Sequence, residues 1–185
     1  MSKTLSEDEK VRVRRIKFLI FDAVLFAVLV ALDRVSKIMA VRYLKEHPAK
    51  SVIDGYLEFH YLENDGAAFG FLKGQKSFFI LVSFFVIAAI VYCIIRMQGK
   101  RKFIYAHLFL TSIAAGALGN LVDRILYGQV IDFIYISVIK FPIFNVADIY
   151  VTINTFLLCL FTLFYYKEDD LNILNFKEKK FREFD

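Results

Sequence analysis

The chain has 185 residues, of which 58% are hydrophobic and 17% aromatic, and its mean hydropathy is +0.52. These values exceed those of a soluble domain of this length and predict one polytopic membrane domain. The formal net charge of +5 requires no nucleic-acid partner, because most of the excess cations flank apolar segments, where they anchor a membrane protein.

Four apolar blocks each approach the roughly 20 residues that cross about 30 Å of hydrocarbon. They predict an all-α membrane fold whose four transmembrane helices lie at about 18–38, 77–96, 103–122 and 146–166. The first block follows several basic residues but shows no small-x-small cleavage motif. We therefore interpret it as a retained helix rather than a signal peptide.

The placement of lysine and arginine predicts the topology. Six of them precede the first apolar block, four lie in the connector 96–102, and five follow Tyr166. Both termini should therefore face the cytoplasm. The predicted organisation is a basic segment 1–17, a single four-helix domain 18–166 and a charged tail 167–185.

The segment 33–77, between the first two helices, contains turn signals at Asp54-Gly55 and Asp65-Gly66. Between these turns, from 56 to 63, apolar and polar residues alternate with the period of two that favours a strand. We expect a small β-cradle on the outer membrane surface.

Three carboxylates lie near the outer ends of the last two helices, where a buried charge is costly and each is a candidate for function. Asp123 precedes Arg124, a pair consistent with local charge balance at a helix end. Asp132 lies among β-branched and aromatic residues, which predict a short strand and, unless the carboxylate is paired, a raised pKa. Asp148 follows Asn145 by three residues, the spacing of a capping box, and helix capping is a sufficient structural explanation for it.

Asp132 and Asp148 together fit acid–base catalysis. Two carboxylates in a low-dielectric setting share one proton, so that one activates a water while the other protonates the reacting oxygen or the leaving amine. No metal is predicted, because His47, His60 and His107 are isolated and lack paired ligand spacing. The alternative is a small membrane transporter or channel subunit that uses the same aspartates as a proton relay.

Five blocks in order resemble those of lipoprotein signal peptidase, the type II signal peptidase of bacteria: LDRVSK (32–37), ENDGAAFG (63–70), GALGNLVDR (116–124), GQVIDF (128–133) and FNVAD (144–148). The resemblance implies a membrane aspartic endopeptidase that cuts diacylglyceryl-modified prolipoproteins just before the lipidated cysteine. It also implies Asp132 and Asp148 as the catalytic pair, with no cofactor.

The resemblance further implies supporting residues around this pair. Asp123 falls on a supporting position of the family, and Asp33 and Lys37 would be structural residues near the site. The chain departs from the family at Arg34, where glutamine is more frequent, and in a short stretch between the two aspartates. The residues implied to line the site or to hold the substrate are Asn64, Gly66, Asn120, Arg124, Val130 and Asn145.

The implied partners are diacylglyceryl-prolipoprotein substrates, membrane lipids and cyclic peptide inhibitors such as globomycin. The implied location is the bacterial cytoplasmic (inner) membrane, with the active site at the outer face. The enzyme would act as a monomer.

Overall fold

The computed structural model describes residues 6–66, 72–97 and 101–171. The predicted segments 1–17 and 167–185, like the ENDGAAFG block, lie partly outside these residues. The helices and strands within the described ranges are α1 Glu7–Leu44, β1 Lys50–Ile53, β2 Leu57–Asn64, α2 Lys76–Arg96, α3 Ile104–Tyr127, β3 Val130–Ile136, α4 Val146–Phe164 and the short α5 Glu168–Leu171.

α1 extends well beyond the helix predicted at about 18–38. Ser6 begins it with a capping box, in which Ser6 Oγ accepts from Glu9 N at 3.3 Å and Glu9 Oε2 accepts from Ser6 N at 2.8 Å. At the other end the helix continues to Leu44, and Pro48 follows. The sequence prediction followed only the apolar run. The helix itself begins at the Ser6 cap and ends shortly before Pro48.

Three helical segments in the described part of the chain are long and apolar enough to cross a membrane: α2, α3 with its preceding turn, and α4. α1 is long enough, with 38 residues, but Lys17, Asp22 and Asp33 interrupt or flank its apolar stretch. Length and composition therefore support three of the four predicted spans, and a membrane crossing by α1 stays a proposal.

α3 is the central helix and packs against α1, α2 and α4. Much of α3 is buried, whereas α2 leaves most of its apolar side chains exposed and α4 fully buries few of its own. Two glycines permit the close packing: a Cβ on Gly116 would lie 2.5 Å from the Ala147 carbonyl oxygen, and one on Gly119 would overlap the Asp33 carboxylate. These small residues bring α1 and α4 against neighbouring turns of α3.

The predicted cradle is a three-stranded antiparallel sheet in the order β1-β2-β3. β1 and β2 form a hairpin whose turn includes Gly55, with a φ of 75°. The third strand comes from the segment after α3, and its register sets Leu62 opposite Asp132 and Asn64 opposite Val130. The sheet thus joins the segment between the first two helices to the segment that carries Asp132.

The sheet lies at one end of the helix bundle. Ala40 and Leu44 at the end of α1 pack with Ile131 and Phe133 of β3 in one hydrophobic cluster. Gly128, in the left-handed region at a φ of 83°, ends α3 and turns the chain directly into β3. Because the helices alternate in direction, α1 and α3 end at the sheet while α2 and α4 begin on its side of the bundle.

Candidate active site

Asp132 is 2% exposed, and both of its carboxylate oxygens accept hydrogen bonds from asparagines. Asn145 Nδ2 donates to Oδ1, and Asn64 Nδ2 donates to Oδ2, each at 2.7 Å. Asn64 reaches Asp132 because it lies two residues from the position opposite it, on the same face of the paired strands. Burial, and then the nearby charge of Asp148, raise the pKa of Asp132 to about 6, as the sequence led us to expect.

Asp148 lies in the first turn of α4 and forms the predicted capping box with Asn145. Asn145 Oδ1 accepts from Asp148 N at 3.1 Å, and Asp148 Oδ2 accepts from Asn145 N at 3.0 Å. The other carboxylate oxygen, Oδ1, accepts from Asn120 Nδ2 at 2.8 Å. The cap and Asn120 together fix the position of this carboxylate, so that capping and a chemical role are compatible.

Asn145 connects the two carboxylates. Its side chain is fully buried, and its Nδ2 group also donates to Asn120 Oδ1 at 3.1 Å. Asp132 and Asp148 line the same cavity of about 290 Å³. The two carboxylates therefore line one cavity, and the charge of Asp148 acts on Asp132 there.

A buried ion network supports this arrangement from behind. The Lys37 side chain is fully buried, and its Nζ lies 3.0 Å from Asp33 Oδ2 and 2.8 Å from Asp123 Oδ2. The same ammonium group donates to Asn120 Oδ1 at 2.9 Å. Asp33 Oδ1 accepts from the backbone N–H of Ala147 at 3.1 Å. The network therefore orients Asn120 and satisfies a free N–H in the first turn of α4.

The interpretation of Asp123 and Arg124 as a local charge pair is wrong. Asp123 is fully buried and pairs with α1 instead, accepting from Arg34 Nη1 at 2.7 Å and from Nη2 at 2.5 Å, both at Oδ1. Adjacent residues of a helix point in different directions, so Asp123 faces α1 while Arg124 lines the cavity. The sequence analysis missed Arg34 as a partner, although two buried aspartates around Lys37 call for a second cation.

Arg124 is held at the edge of the cavity by two contacts. Its Nη2 donates to the carbonyl of Gly66 at 3.4 Å, and its guanidinium carbon lies 4.6 Å from the centre of the Phe79 ring. Phe141, Pro142, Ile143, Phe144 and Thr152 also line the cavity, and the sequence analysis did not assign them. The short stretch before α4 thus supplies an apolar wall.

The predicted site residues fall into three groups. Asn145 is buried between the carboxylates, and the network residues Asp33, Lys37 and Asp123 lie behind them. The residues that line the cavity are Asn64, Gly66, Asn120, Arg124, Val130, Asp132 and Asp148.

Within the described ranges, no three His, Cys, Asp or Glu side chains converge as candidate metal ligands. His107 is packed and hydrogen-bonded: its Nδ1 lies 2.7 Å from Asp22 Oδ2, and its ring stacks on Phe18. Each of the four carboxylate oxygens of Asp132 and Asp148 accepts a hydrogen bond from an N–H group.

Comparison with known proteins agrees with the resemblance. The profile of a family described as signal peptidase (SPase) II matches residues 25–164. The chain is 37% identical over 137 residues to a lipoprotein signal peptidase of Clostridium novyi, covering 72% of this chain and 91% of that protein. It is 39% identical over 134 residues to one of Brevibacillus brevis, covering 72% and 89%. A solved structure described as a bacterial membrane enzyme superposes with a TM-score of 0.69 at 30% identity, covering 86% of this chain and 93% of the other.

Proposed function

Because the chain belongs to the signal peptidase II family, we propose that it acts as an aspartic endopeptidase whose acid–base pair is Asp132 and Asp148. Family membership makes it a membrane protease that removes signal peptides from prolipoproteins, which disfavours the transporter alternative. The observation that supports the aspartic mechanism is the convergence of both carboxylates on one cavity.

The pair works with one shared proton. The ionised carboxylate takes a proton from a water as that water attacks the scissile carbonyl carbon, and the protonated carboxyl stabilises the developing negative charge on the carbonyl oxygen. The proton taken up by the base then passes to the leaving nitrogen. Because the pKa of Asp132 is about 6, a larger fraction of Asp132 is protonated at a given pH than of an ordinary aspartate. The pair nevertheless titrates as a unit.

The cavity supports binding of an extended peptide beside the pair. Asn64, Asn120 and Asn145 each donate an amide N–H to one of the carboxylates, so these three residues hold the catalytic geometry. Arg124 has further N–H donors beyond the one directed at Gly66, and these are available for a substrate carbonyl. The exposed apolar surfaces of α2 and α4 suit a substrate that carries a diacylglyceryl anchor.

The proposed topology has four spans with both termini in the cytoplasm of a bacterial cell and α1 crossing the inner membrane. The basic residues before the first apolar block and in the connector 96–102 support this orientation. The sheet and both aspartates would then lie at the outer face, where the substrate is delivered. A monomer is sufficient, since one chain supplies the complete pair, and a cyclic peptide such as globomycin would compete for the same cavity.

The substrate assignment is tested with the purified full-length chain in detergent. The chain is incubated with a diacylglyceryl-modified prolipoprotein and, separately, with the same precursor lacking the lipid, and cleavage is followed as a shift on a gel. We expect cleavage of the lipidated precursor alone, with the new N-terminus at the modified cysteine. Equal cleavage of both precursors, or a cut elsewhere, would contradict the assignment.

A further inference from the structure

A second cavity, of about 560 Å³, lies at the end of the bundle opposite the two aspartates. It is formed where the beginning of α1 meets the beginning of α3. The α1 side contributes Val13, Arg14 and Lys17, and the other side contributes Arg101 and Ile104. The α1 residues recur at the three- and four-residue spacing that places side chains on one helix face.

The cavity is rich in positive charge. Arg14, Lys17 and Arg101 line it and make no ion pair with a carboxylate among the residues that the structure describes. By contrast, Lys102, the neighbour of Arg101, pairs with Asp170. Lys10 also borders the cavity and adds to its positive charge.

The carboxylate buried in this part of α1 is already engaged. Asp22 accepts from Thr111 Oγ1 at 3.1 Å and pairs with His107 at 2.7 Å. Phe18, which lines the cavity, is buried and stacks on the His107 ring at 4.8 Å between centroids. This stack joins α1 to α3, so the cavity has a fixed wall, and within the described residues no carboxylate pairs with Arg14, Lys17 or Arg101.

Polar and apolar residues are ordered along the cavity. The cations of α1 lie towards its N-terminus, and Phe21 lies further along the helix, towards the middle of the bundle. On the other side of the cavity the order is the same: Arg101 lies towards the end of the bundle, and Ile104 lies further towards its middle. Phe21 is 39% exposed, so the cavity offers a charged end and an apolar end to one amphiphile.

We propose that this cavity binds an anionic phospholipid, with the headgroup phosphate at Arg14, Lys17 and Arg101 and an acyl chain along Phe21 and Ile104. A phosphate is the anion that clustered arginine and lysine bind best at a membrane surface. A free phosphate would leave the apolar end uncovered, whereas a phospholipid in the adjacent leaflet fills both ends. The proposal depends on the membrane location of the protein and not on the assignment of the aspartates.

Native mass spectrometry of the full-length chain in a neutral detergent tests the site. The protein is titrated with phosphatidylglycerol and, separately, with phosphatidylcholine of the same acyl chains. The variant Arg14→Gln/Lys17→Gln is compared with Arg12→Gln/Arg15→Gln, which removes the same charge from the same turns of α1 but not from the lining of the cavity.

We expect phosphatidylglycerol to bind more tightly than phosphatidylcholine to the unaltered chain. Each cation near a membrane surface contributes about a fivefold factor in affinity, so Arg14→Gln/Lys17→Gln should weaken phosphatidylglycerol binding by about 30-fold. The control pair should change it by less than about threefold. Arg101→Gln alone should weaken it by about fivefold, because this residue completes the site from the second element.

Three results would overturn the proposal: equal binding of the two lipids, equal losses in the two double variants, or no effect of Arg101→Gln. Displacement of the lipid by glycerol phosphate at matched concentration would instead identify a site for soluble phosphates, and would equally refute it. Cleavage of the lipidated precursor serves as the folding control, since none of these residues lies near the aspartates. If the double variant does not fold, the single Arg101→Gln variant decides the question.

Discussion

The hydrogen bond from Asn64 to Asp132 makes a specific prediction about pH dependence. Asn64 Nδ2 donates to Asp132 Oδ2 at 2.7 Å and stabilises the ionised carboxylate, which opposes the increase in pKa caused by burial. In Asn64→Ala the ionised form loses this donor, so the pKa of Asp132 should rise further above about 6. A hydrogen bond to a charged group contributes about 1.5–3 kcal/mol, which corresponds to about one to two pH units.

The consequence for activity follows from the shared proton. In the proposed mechanism the pair is active with one proton bound, and it loses that proton as pH rises through the higher of its two apparent pKa values. For the unaltered enzyme, kcat/KM should therefore fall above about pH 6. For Asn64→Ala the decrease should begin about one to two pH units higher, even if the maximum activity is reduced.

The assay measures kcat/KM for the lipidated precursor in detergent from pH 5 to pH 9. The control is Asn154→Ala, which removes an asparagine whose Nδ2, within the described part of the chain, bonds to the carbonyl of Tyr150 in its own helix. We expect the control to keep the profile of the unaltered enzyme. An alkaline limb that stays in place or moves to lower pH in Asn64→Ala would refute the assignment of Asp132 as a member of the pair.

Three further predictions concern the surroundings of the pair. Gly116→Ala places a methyl group against the Ala147 carbonyl and should lower both stability, by about 1–3 kcal/mol, and the cleavage rate, as measured by thermal unfolding and by the gel assay; an unchanged melting temperature would contradict the close packing. Arg34→Gln leaves Asp123 with only Lys37 and should cost about 1–2 kcal/mol, less than a fully buried pair because Arg34 is partly exposed, while Arg34→Lys should recover part of the loss in the same unfolding experiment. EDTA should leave the cleavage rate unchanged, because no three candidate metal ligands converge among the residues that the structure describes; a loss of activity that zinc restores would contradict this.

Local sequence signals predicted one half of the site well. The spacing of Asn145 and Asp148 indicates a capping box, and the structure contains it because both partners belong to a single helical turn. The apolar and β-branched flanks of Asp132 likewise predict a buried strand, which is β3. These features depend on a few neighbouring residues and need no knowledge of the tertiary fold.

The remaining contacts join distant parts of the chain and were not predictable from local patterns. Asn64 meets Asp132 only because β2 pairs with β3, and no pattern in the sequence sets that register. Asp123 pairs with Arg34, which lies on another helix. Because Arg124 is the neighbour of Asp123 in the sequence, the sequence analysis paired Asp123 with Arg124 instead. The resemblance to a family placed Asn64 near the site, whereas physical reasoning from the residues alone had not.

The extent of α1 shows a third limit. Hydropathy located the apolar part of this helix but not its polar first turns, which a capping box at Ser6 begins. Those turns carry Arg14 and Lys17, so the second cavity was also outside the reach of hydropathy. To predict where the polar end of such a helix begins, capping residues and charges must be considered as well as hydropathy.

The most direct test of the account is single-turnover cleavage of the diacylglyceryl-modified precursor by Asp132→Asn and by Asp148→Asn. Both substitutions preserve size, and thermal unfolding in detergent establishes that each variant is folded. Acid–base catalysis by a positioned side chain contributes about 10²–10⁴-fold in rate. The cleavage rate of each variant should therefore fall by at least about 10²-fold, while the variant still binds the precursor. Cleavage by either folded variant within about tenfold of the unaltered rate would contradict the assignment of Asp132 and Asp148 as the catalytic pair.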